Sequence, residues 1–282
     1  MPAASIRPML PADVDRATEM ILGHGWGVRR AWLAFASGHD RCVTLVAEAD
    51  GEIVATGVGT ANGPAGWIGS IFVAPGHRGG GLCQALTQAI VDWLESAGCR
   101  TLVLVATSDG RRLYERMGFE VQTQYRILQA VGLPPASAKP GDGPPVRAFA
   151  ARDLEAIVAL DRAGTAEDRA HAIERLADTE STRVAPGSDG GIDGFVIRAP
   201  WGGGATVARS PDAGLRIVTA RRRAAGPDGR VRVGLVDENA EGLARLAEVG
   251  LRLMWSAPRM IRGEPLAWRP ETIWGQFNHA MG

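Results

Sequence analysis

The chain has 282 residues, enough for two ordinary domains, and 45% of them are hydrophobic, enough to fill a core in each. Its 31 basic and 31 acidic side chains leave a formal net charge of zero, which removes any general electrostatic drive toward nucleic acid or anionic lipid. Three unpatterned cysteines, Cys42, Cys83 and Cys99, argue for reduced thiols in a cytoplasmic protein, and no apolar run is long enough for a membrane span or a signal peptide.

From Ile6, IRPMLPADVDRATEM reads as a short strand, a polar turn and a helix, with Asp13 placed to cap or charge-match the helix's first turn. Residues 42–48 and 52–60 are β-rich runs joined by Asp50–Gly51, a strong hairpin signal. WIGSIFV, residues 67–73, is another apolar strand, and the glycine-rich APGHRGGG follows it. A helix is expected from Gly80 to Ala97, because Leu82, Leu86, Ile90, Trp93 and Leu94 recur at spacings of three and four. Gly98 ends it, and TLVLVA, residues 101–106, is a nearly all-apolar strand. Strand, glycine turn, helix, strand is a βαβ crossover and requires the two strands to pair in parallel. A short helix over 110–117 and a strand over 119–128 complete the first half.

Residues 131–145, VGLPPASAKPGDGPP, combine five prolines with three glycines and read as a linker. The expected organisation is a first domain over 1–130, this linker, and a second domain over 146–282. The second half opens as the first does: VRAFAARDLEAIVAL starts at Val146, 140 positions after Ile6, with Asp153 in the place of Asp13. So long a period suggests duplicated whole domains. Residues 194–200 and 204–210 read as strands, 212–223 as a helix, 230–239 as the counterpart of strand 101–106, and 238–251 as an echo of 108–119. The RRR at 221–223 reads as a solvated helix end.

The sharpest constellation is Val73-Ala-Pro-Gly-His-Arg-Gly-Gly-Gly-Leu-Cys83. Pro75 and Gly76 end the strand. Gly79, Gly80 and Gly81 let the backbone come close to a ligand. The unpaired N–H groups at the start of the next helix favour a phosphate or pyrophosphate, and Arg78 can grip the same anion. A plain flexible turn is the bland alternative. Neither a GxGxxG with its downstream acid nor a GxxxxGK[ST] is present, which disfavours dinucleotide and nucleoside triphosphate folds. There is no zinc signature and no GxSxG, so no metal is implied and a serine hydrolase is disfavoured.

The segment Arg78-Gly-Gly-Gly81-Leu-Cys83 resembles motif A of the GCN5-related N-acetyltransferase (GNAT) superfamily, [Q/R]-x-x-G-x-[G/A], with Cys83 in the last small position. LYERMGF, residues 113–119, looks like its motif B tyrosine region, and the resemblance covers most of residues 5–128. It implies an α/β fold of tandem GNAT-like domains, each a mixed central β-sheet flanked by helices. It implies acetyl-CoA as acyl donor, its pyrophosphate on the amides of Arg78, Gly79, Gly80, Gly81, Leu82 and Cys83, and its thioester beside the backbone of Ile71, Phe72 and Val73. Tyr114 becomes the candidate acid for the departing thiolate, against a simpler role as a packed aromatic. The family often places a glutamate on the strand before the loop, and WIGSIFV has none. The base is then His24, a carboxylate acting through water, or no residue at all if the amine arrives neutral. Trp26 is a candidate wall of the acceptor pocket, and Glu271, with Trp274 and His279, a candidate contribution from the C-terminal tail.

The second half lacks an Arg-x-x-Gly-x-Gly, and aligning Gly250 with Gly118 puts Leu246 opposite Tyr114. It therefore reads as a degenerate copy that completes the acceptor site or mediates assembly, with a homodimer left open. The expected activity is transfer of an acetyl group from acetyl-CoA to a small-molecule amine by direct attack on the thioester. A non-catalytic acyl-CoA sensor and a duplication that binds no cofactor are the competing classes. Residues 1–130 alone are expected to bind CoA and turn over poorly.

Overall fold

The computed structural model of the chain describes residues 4–134 and 143–282, so residues 135–142 of the expected linker lie outside the described residues. Strand β1 (Ser5–Pro8) leads into helices α1 (Asp13–Gly23) and α2 (Arg30–Ser37). Strands β2 (Cys42–Ala49), β3 (Glu52–Asn62) and β4 (Ala65–Val73) follow, then α3 (Leu82–Ser96), β5 (Thr101–Val105), α4 (Ser108–Arg116) and β6 (Glu120–Val131). The second half runs β7 (Arg147–Ala148), α5 (Leu154–Thr165), α6 (Ala170–Leu176), β8 (Thr182–Pro186), β9 (Ile192–Arg198) and β10 (Gly204–Ala208). It ends with α7 (Pro211–Ala225), β11 (Arg230–Val236), α8 (Ala240–Glu248), β12 (Arg252–Gly263) and β13 (Ile273–Gly275).

Local chemistry accounts for these elements. Asp50 and Gly51 both take positive φ, 51° and 79°, the pair of left-handed residues that a tight β2–β3 turn needs. Leu86, Ile90 and Leu94 are fully buried along one face of α3, while Leu82 and Trp93 lie half-buried at its margins. Asp13 caps no helix: its carboxylate accepts from the Leu10 N–H at 2.8 Å and from Arg7 at 2.6 Å. Asp153 does the same with the Ala150 N–H at 2.8 Å and Arg147 at 2.6 Å. Arg7 and its hydrogen bond hold the Asp13 carboxyl below the usual range, and Arg147 does so for Asp153. Each pair pins a strand to the helix after it, and the same device recurs at matching positions of the two halves.

The strands form two sheets. The first has eight strands in the order β1-β2-β3-β4-β5-β12-β6-β11, and the second has five in the order β13-β10-β9-β8-β7. β4 and β5 pair in parallel, as the crossover requires, and the other pairings are antiparallel. The first sheet is thus mixed and the second antiparallel throughout, each flanked by helices. Two strands from the second half complete the first sheet. β11 covers the outer edge of β6, and β12 inserts between β5 and β6.

The C-terminal tail then crosses the face of β3 and β4. The Thr60 hydroxyl donates to the Ala280 carbonyl at 2.7 Å, and the Asn62 amide donates to the Met281 carbonyl and to Glu167, each at 2.8 Å. Gly69 is glycine because a Cβ there would stand 2.5 Å from the His279 carbonyl oxygen. A chain ending at residue 130 would lose β12 and leave β5 and β6 with open inner edges and Trp67, Val103, Tyr125 and Met260's neighbours uncovered. At about 1.5–3 kcal/mol per buried large apolar side chain, that is comparable to the whole stability of a small domain, about 5–15 kcal/mol. In place of the sequence-based expectation that residues 1–130 alone bind CoA, this fragment is expected to show no cooperative thermal transition, where the full chain shows one. A sharp transition in the fragment, followed by near- and far-ultraviolet circular dichroism, would contradict this.

Candidate active site

The site begins where β4 and β5 separate. Their pairing runs from Ala65↔Thr101 to Ile68↔Leu104 and stops. Past that point β4 bulges: its register with β3 shifts between Thr56 and Val58, and Ser70 takes a φ of 53°, in the left-handed region. The bulge is held on both sides. The Ser70 hydroxyl accepts from the Trp32 indole at 3.0 Å, and its carbonyl accepts from the Thr56 hydroxyl at 2.9 Å. The gap so opened leads into a cleft of about 380 Å³. Trp26, Arg29, Ser70, Ile71, Thr107 and Tyr114 line it from the first half, and Arg232, Gly234, Gln276 and His279 line it from the second.

The glycine loop lies at the end of β4. Gly79 and Gly81 both take a φ of 82°, and a Cβ at Gly79, Gly80 or Gly81 would meet nothing within 4 Å. Gly81 is the N-cap of α3, and no side chain caps that helix. Its first N–H groups therefore face open space, the arrangement that attracts an anion. The Arg78 guanidinium donates to the Val73 carbonyl at 3.0 Å, tying the loop back to its strand. Phe72 and Val73 are buried, and Cys83 is half-buried in the first turn of α3. These residues fit a pyrophosphate-bearing ligand: space, a soft backbone and unused donors occur together.

Tyr114 projects from α4, whose N-terminus is capped by the Thr107 hydroxyl accepting from the Gly110 N–H at 3.2 Å. Its ring packs edge-on against Phe119, 6.1 Å between centroids, within the core of the first half, and it also lines the cleft. Burial and, secondarily, the nearby Cys83 push its phenol well above the ordinary value, so it stays protonated at physiological pH. Leu82 and Cys83, in the first turn of α3, pack against the same core cluster.

The remaining predicted residues scatter. Trp26 lines the cleft with its ring edge-on to Phe72 at 5.1 Å. His24 is exposed, its Nδ1 2.8 Å from the Met20 carbonyl and its ring tilted over Phe72, and it is outside the cleft lining. Glu271 is exposed beside Arg269 at 3.3 Å and also lies outside. Of the other tail residues, Trp274 is fully buried in the core of the second half, while His279 enters the cleft. His279 stacks on Tyr125 at 5.4 Å and meets Trp255 edge-on at 5.8 Å. Burial, and then the charge of Arg29, pull its imidazole down to about 4, so it is neutral at pH 7. Sequence reasoning passed over Arg29, Arg232 and Gln276. Only Arg29, beside the named aromatics of residues 23–32, had a local signal. Among the described residues no carboxylate lines the cleft.

The corresponding positions of the second half are differently equipped. Ser210 caps α7 by accepting from the Ala213 N–H at 3.2 Å, and Pro211 removes a donor from its first turn. Leu246 is fully buried on α8. Among the described residues no group of three or more His, Cys, Asp or Glu could hold a metal ion, and no helix is long and apolar enough to cross a membrane.

Comparison with known proteins agrees with this architecture. The acetyltransferase (GNAT) family matches residues 13–119. An acetyltransferase of Sodalis glossinidius is 31% identical over 93 residues, 32% of this chain and 66% of its own length, just under two thirds of that relative. A crystal structure from Pyrococcus horikoshii, of a protein provisionally named an acetyltransferase, superposes over 99% of this chain and 96% of its own, with a TM-score of 0.82 at 18% identity. A GCN5-related N-acetyltransferase from Sphaerobacter thermophilus covers 94% of this chain and 97% of its own, with a TM-score of 0.63 at 19% identity. The chain therefore has the fold of the GNAT-superfamily acetyltransferases, built as two tandem GNAT-like units.

Proposed function

We propose that the chain transfers an acetyl group from acetyl-CoA to a small-molecule amine, with the donor held by the first half and the acceptor met by residues of both. The observation that carries this reading is the uncapped N-terminus of α3 behind an open triple-glycine loop, with Tyr114 in the core cluster against which Leu82 and Cys83 of that helix pack. The second half, with α7 already capped and Leu246 opposite Tyr114, serves as a degenerate unit that supplies the far wall of the cleft.

In this reading the amides of residues 78–83 hold the pyrophosphate, and the backbone of Ile71–Val73, freed by the bulge at Ser70, lies along the thioester. The acceptor nitrogen enters from the side of Trp26, Arg29 and His279 and attacks the thioester carbonyl. A C–N bond forms, the C–S bond breaks, and the Tyr114 hydroxyl gives its proton to the departing sulfur. The amine's proton passes to water, and solvent returns a proton to the Tyr114 phenolate. His279, held neutral, accepts a hydrogen bond from the attacking nitrogen, while water takes the part of general base for which His24 was one of three options in the sequence. The lack of a carboxylate in the cleft also fits a second reading, a sensor that binds acyl-CoA without turnover.

Two substitutions test the proposal. Gly81→Val meets no neighbour, yet places a β-branched residue at a φ of 82°, a strain of about 1–3 kcal/mol that distorts the loop. Acetyl-CoA affinity, measured by calorimetry, is expected to fall at least about tenfold, by roughly 1.4 kcal/mol or more. Wild-type affinity would overturn the placement of the pyrophosphate. Tyr114→Phe keeps the packing against Phe119 and removes only the hydroxyl. It should bind acetyl-CoA nearly normally and lose roughly 10- to 1000-fold in kcat, the range of a lost general acid. The loss should shrink with a donor whose thiol is more acidic. Wild-type turnover with chemistry rate-limiting would return Tyr114 to a packing role, and binding without turnover on a broad amine panel would favour the sensor.

A further inference from the structure

A second and larger cavity, about 760 Å³, lies between the two sheets where α7 packs beside β9 and β11. Its walls carry Arg198 at the end of β9, Arg221 on α7, and Arg230 and Arg232 on β11. None of these four is ion-paired with a carboxylate among the described residues. Arg221 donates to the backbone carbonyl of Arg232 at 2.9 Å, and Arg232 donates to the Gln129 side chain at 2.7 Å. Arg216 stands on another wall, where Asp193 at 3.6 Å partly balances it. Glu180 is the one carboxylate among the lining residues. The triplet at 221–223 is therefore no solvated helix end. Arg222 turns away to donate to the Val131 and Val249 carbonyls at 3.0 and 2.7 Å, and Arg221 faces the cavity.

A chain of zero net charge has gathered these four guanidinium groups, without an ion pair among the described residues, around one cavity. Like charges so placed repel one another, and a bound anion relieves that repulsion while accepting forked hydrogen bonds. Burial, and then the charge of the neighbouring Arg198, lower Arg221 to about 10. The cavity also adjoins the cleft at Tyr114: Arg232 and Gly202 line both. At the cleft's own end Arg29 is a further guanidinium, in a lining without any carboxylate.

We propose that this cavity seats the anionic portion of the acyl acceptor, so that the acceptor is an amine bearing phosphate or several carboxylates. Its charged end lies among Arg198, Arg221, Arg230 and Arg232, and its amine reaches past Arg232 toward His279 and Tyr114. The assignment of this ligand as the acceptor rests on the acetyltransferase reading above; the anion site itself does not. Phosphate and carboxylate share the chemistry that guanidinium groups recognise, and the two are separated by experiment.

Inorganic pyrophosphate and citrate are titrated calorimetrically into the full-length chain saturated with CoA, so that the loop at residues 78–83 is already filled. At least one of them is expected to bind, and the tighter one identifies the anion chemistry. Arg198→Gln/Arg230→Gln replaces two exposed side chains and should weaken that binding tenfold or more; Arg221→Gln is the second variant. Acetyl transfer is then compared for paired amines with and without phosphate or carboxylate groups. Wild type should favour the anionic member in kcat/KM, mainly through KM, and the double variant should reduce that preference tenfold or more. No binding of either anion, or equal binding by wild type and both variants, would overturn the site. Anion binding lost in the variants, with the preference among amines unmoved, would overturn the link to the acceptor and leave a separate effector site. Anion binding lost in the variants, with no acetylation of any amine, would overturn the acetyltransferase reading while the anion site stands.

Discussion

Strand β12 lies between β5 and β6, and the rest of the molecule is arranged around that insertion. It comes from the second half of the chain and completes a sheet begun by the first. Its Arg259 is almost fully buried, with the guanidinium 4.3 Å from the Trp268 ring and 5.4 Å from the Trp67 ring, and it donates to the Gln122 side chain. A buried guanidinium is costly unless its charge is met. Here two aromatic faces and an amide meet it at the point where the register of β12 with β6 shifts, with its Nε left without a hydrogen-bond partner among the described residues. Exchange of this strand binds the halves into one body, and from it the chain is led to β13 and on to the tail that closes over β3 and β4.

The insertion also explains why the cleft is composite. β5 gains a partner in β12 along one side while its pairing with β4 ends at Leu104 on the other. β4 is then free to bulge at Ser70. The space this opens is bounded by Tyr114 on one side and by Gln276 and His279 of the tail on the other. The first half keeps an uncapped helix start behind a glycine loop. In the second half Ser210 and Pro211 satisfy or remove the same donors. The two halves thus differ at this helix start.

Elements governed by local chemistry were legible in the sequence. The Asp50–Gly51 hairpin, the periodic face of α3, the βαβ crossover and the glycine loop each depend on a few adjacent residues, and each is where the pattern placed it. The recurrence of Asp13 as Asp153 was also visible, each acid lying at the start of its helix, with the preceding arginine and a backbone amide as its hydrogen-bond partners. What could not be read was long-range pairing. The run over 252–263 looks like any edge strand, and nothing local says that it leaves its own half to lie between β5 and β6. The cleft residues on the far side share that difficulty: His279, Gln276 and Arg232 are brought to Tyr114 by strand exchange across more than a hundred residues. The arginines of β9, α7 and β11 read singly as surface charges, because only the packing of three distant elements gathers them.

The most direct measurement of the account is hydrogen–deuterium exchange of the full chain with and without acetyl-CoA, read at the level of single segments. The account predicts protection of the amides of residues 78–83 and of the bulged end of β4, with the start of α7 unchanged. Protection at residues 210–213 instead, or none at the glycine loop under saturating acetyl-CoA, would contradict it.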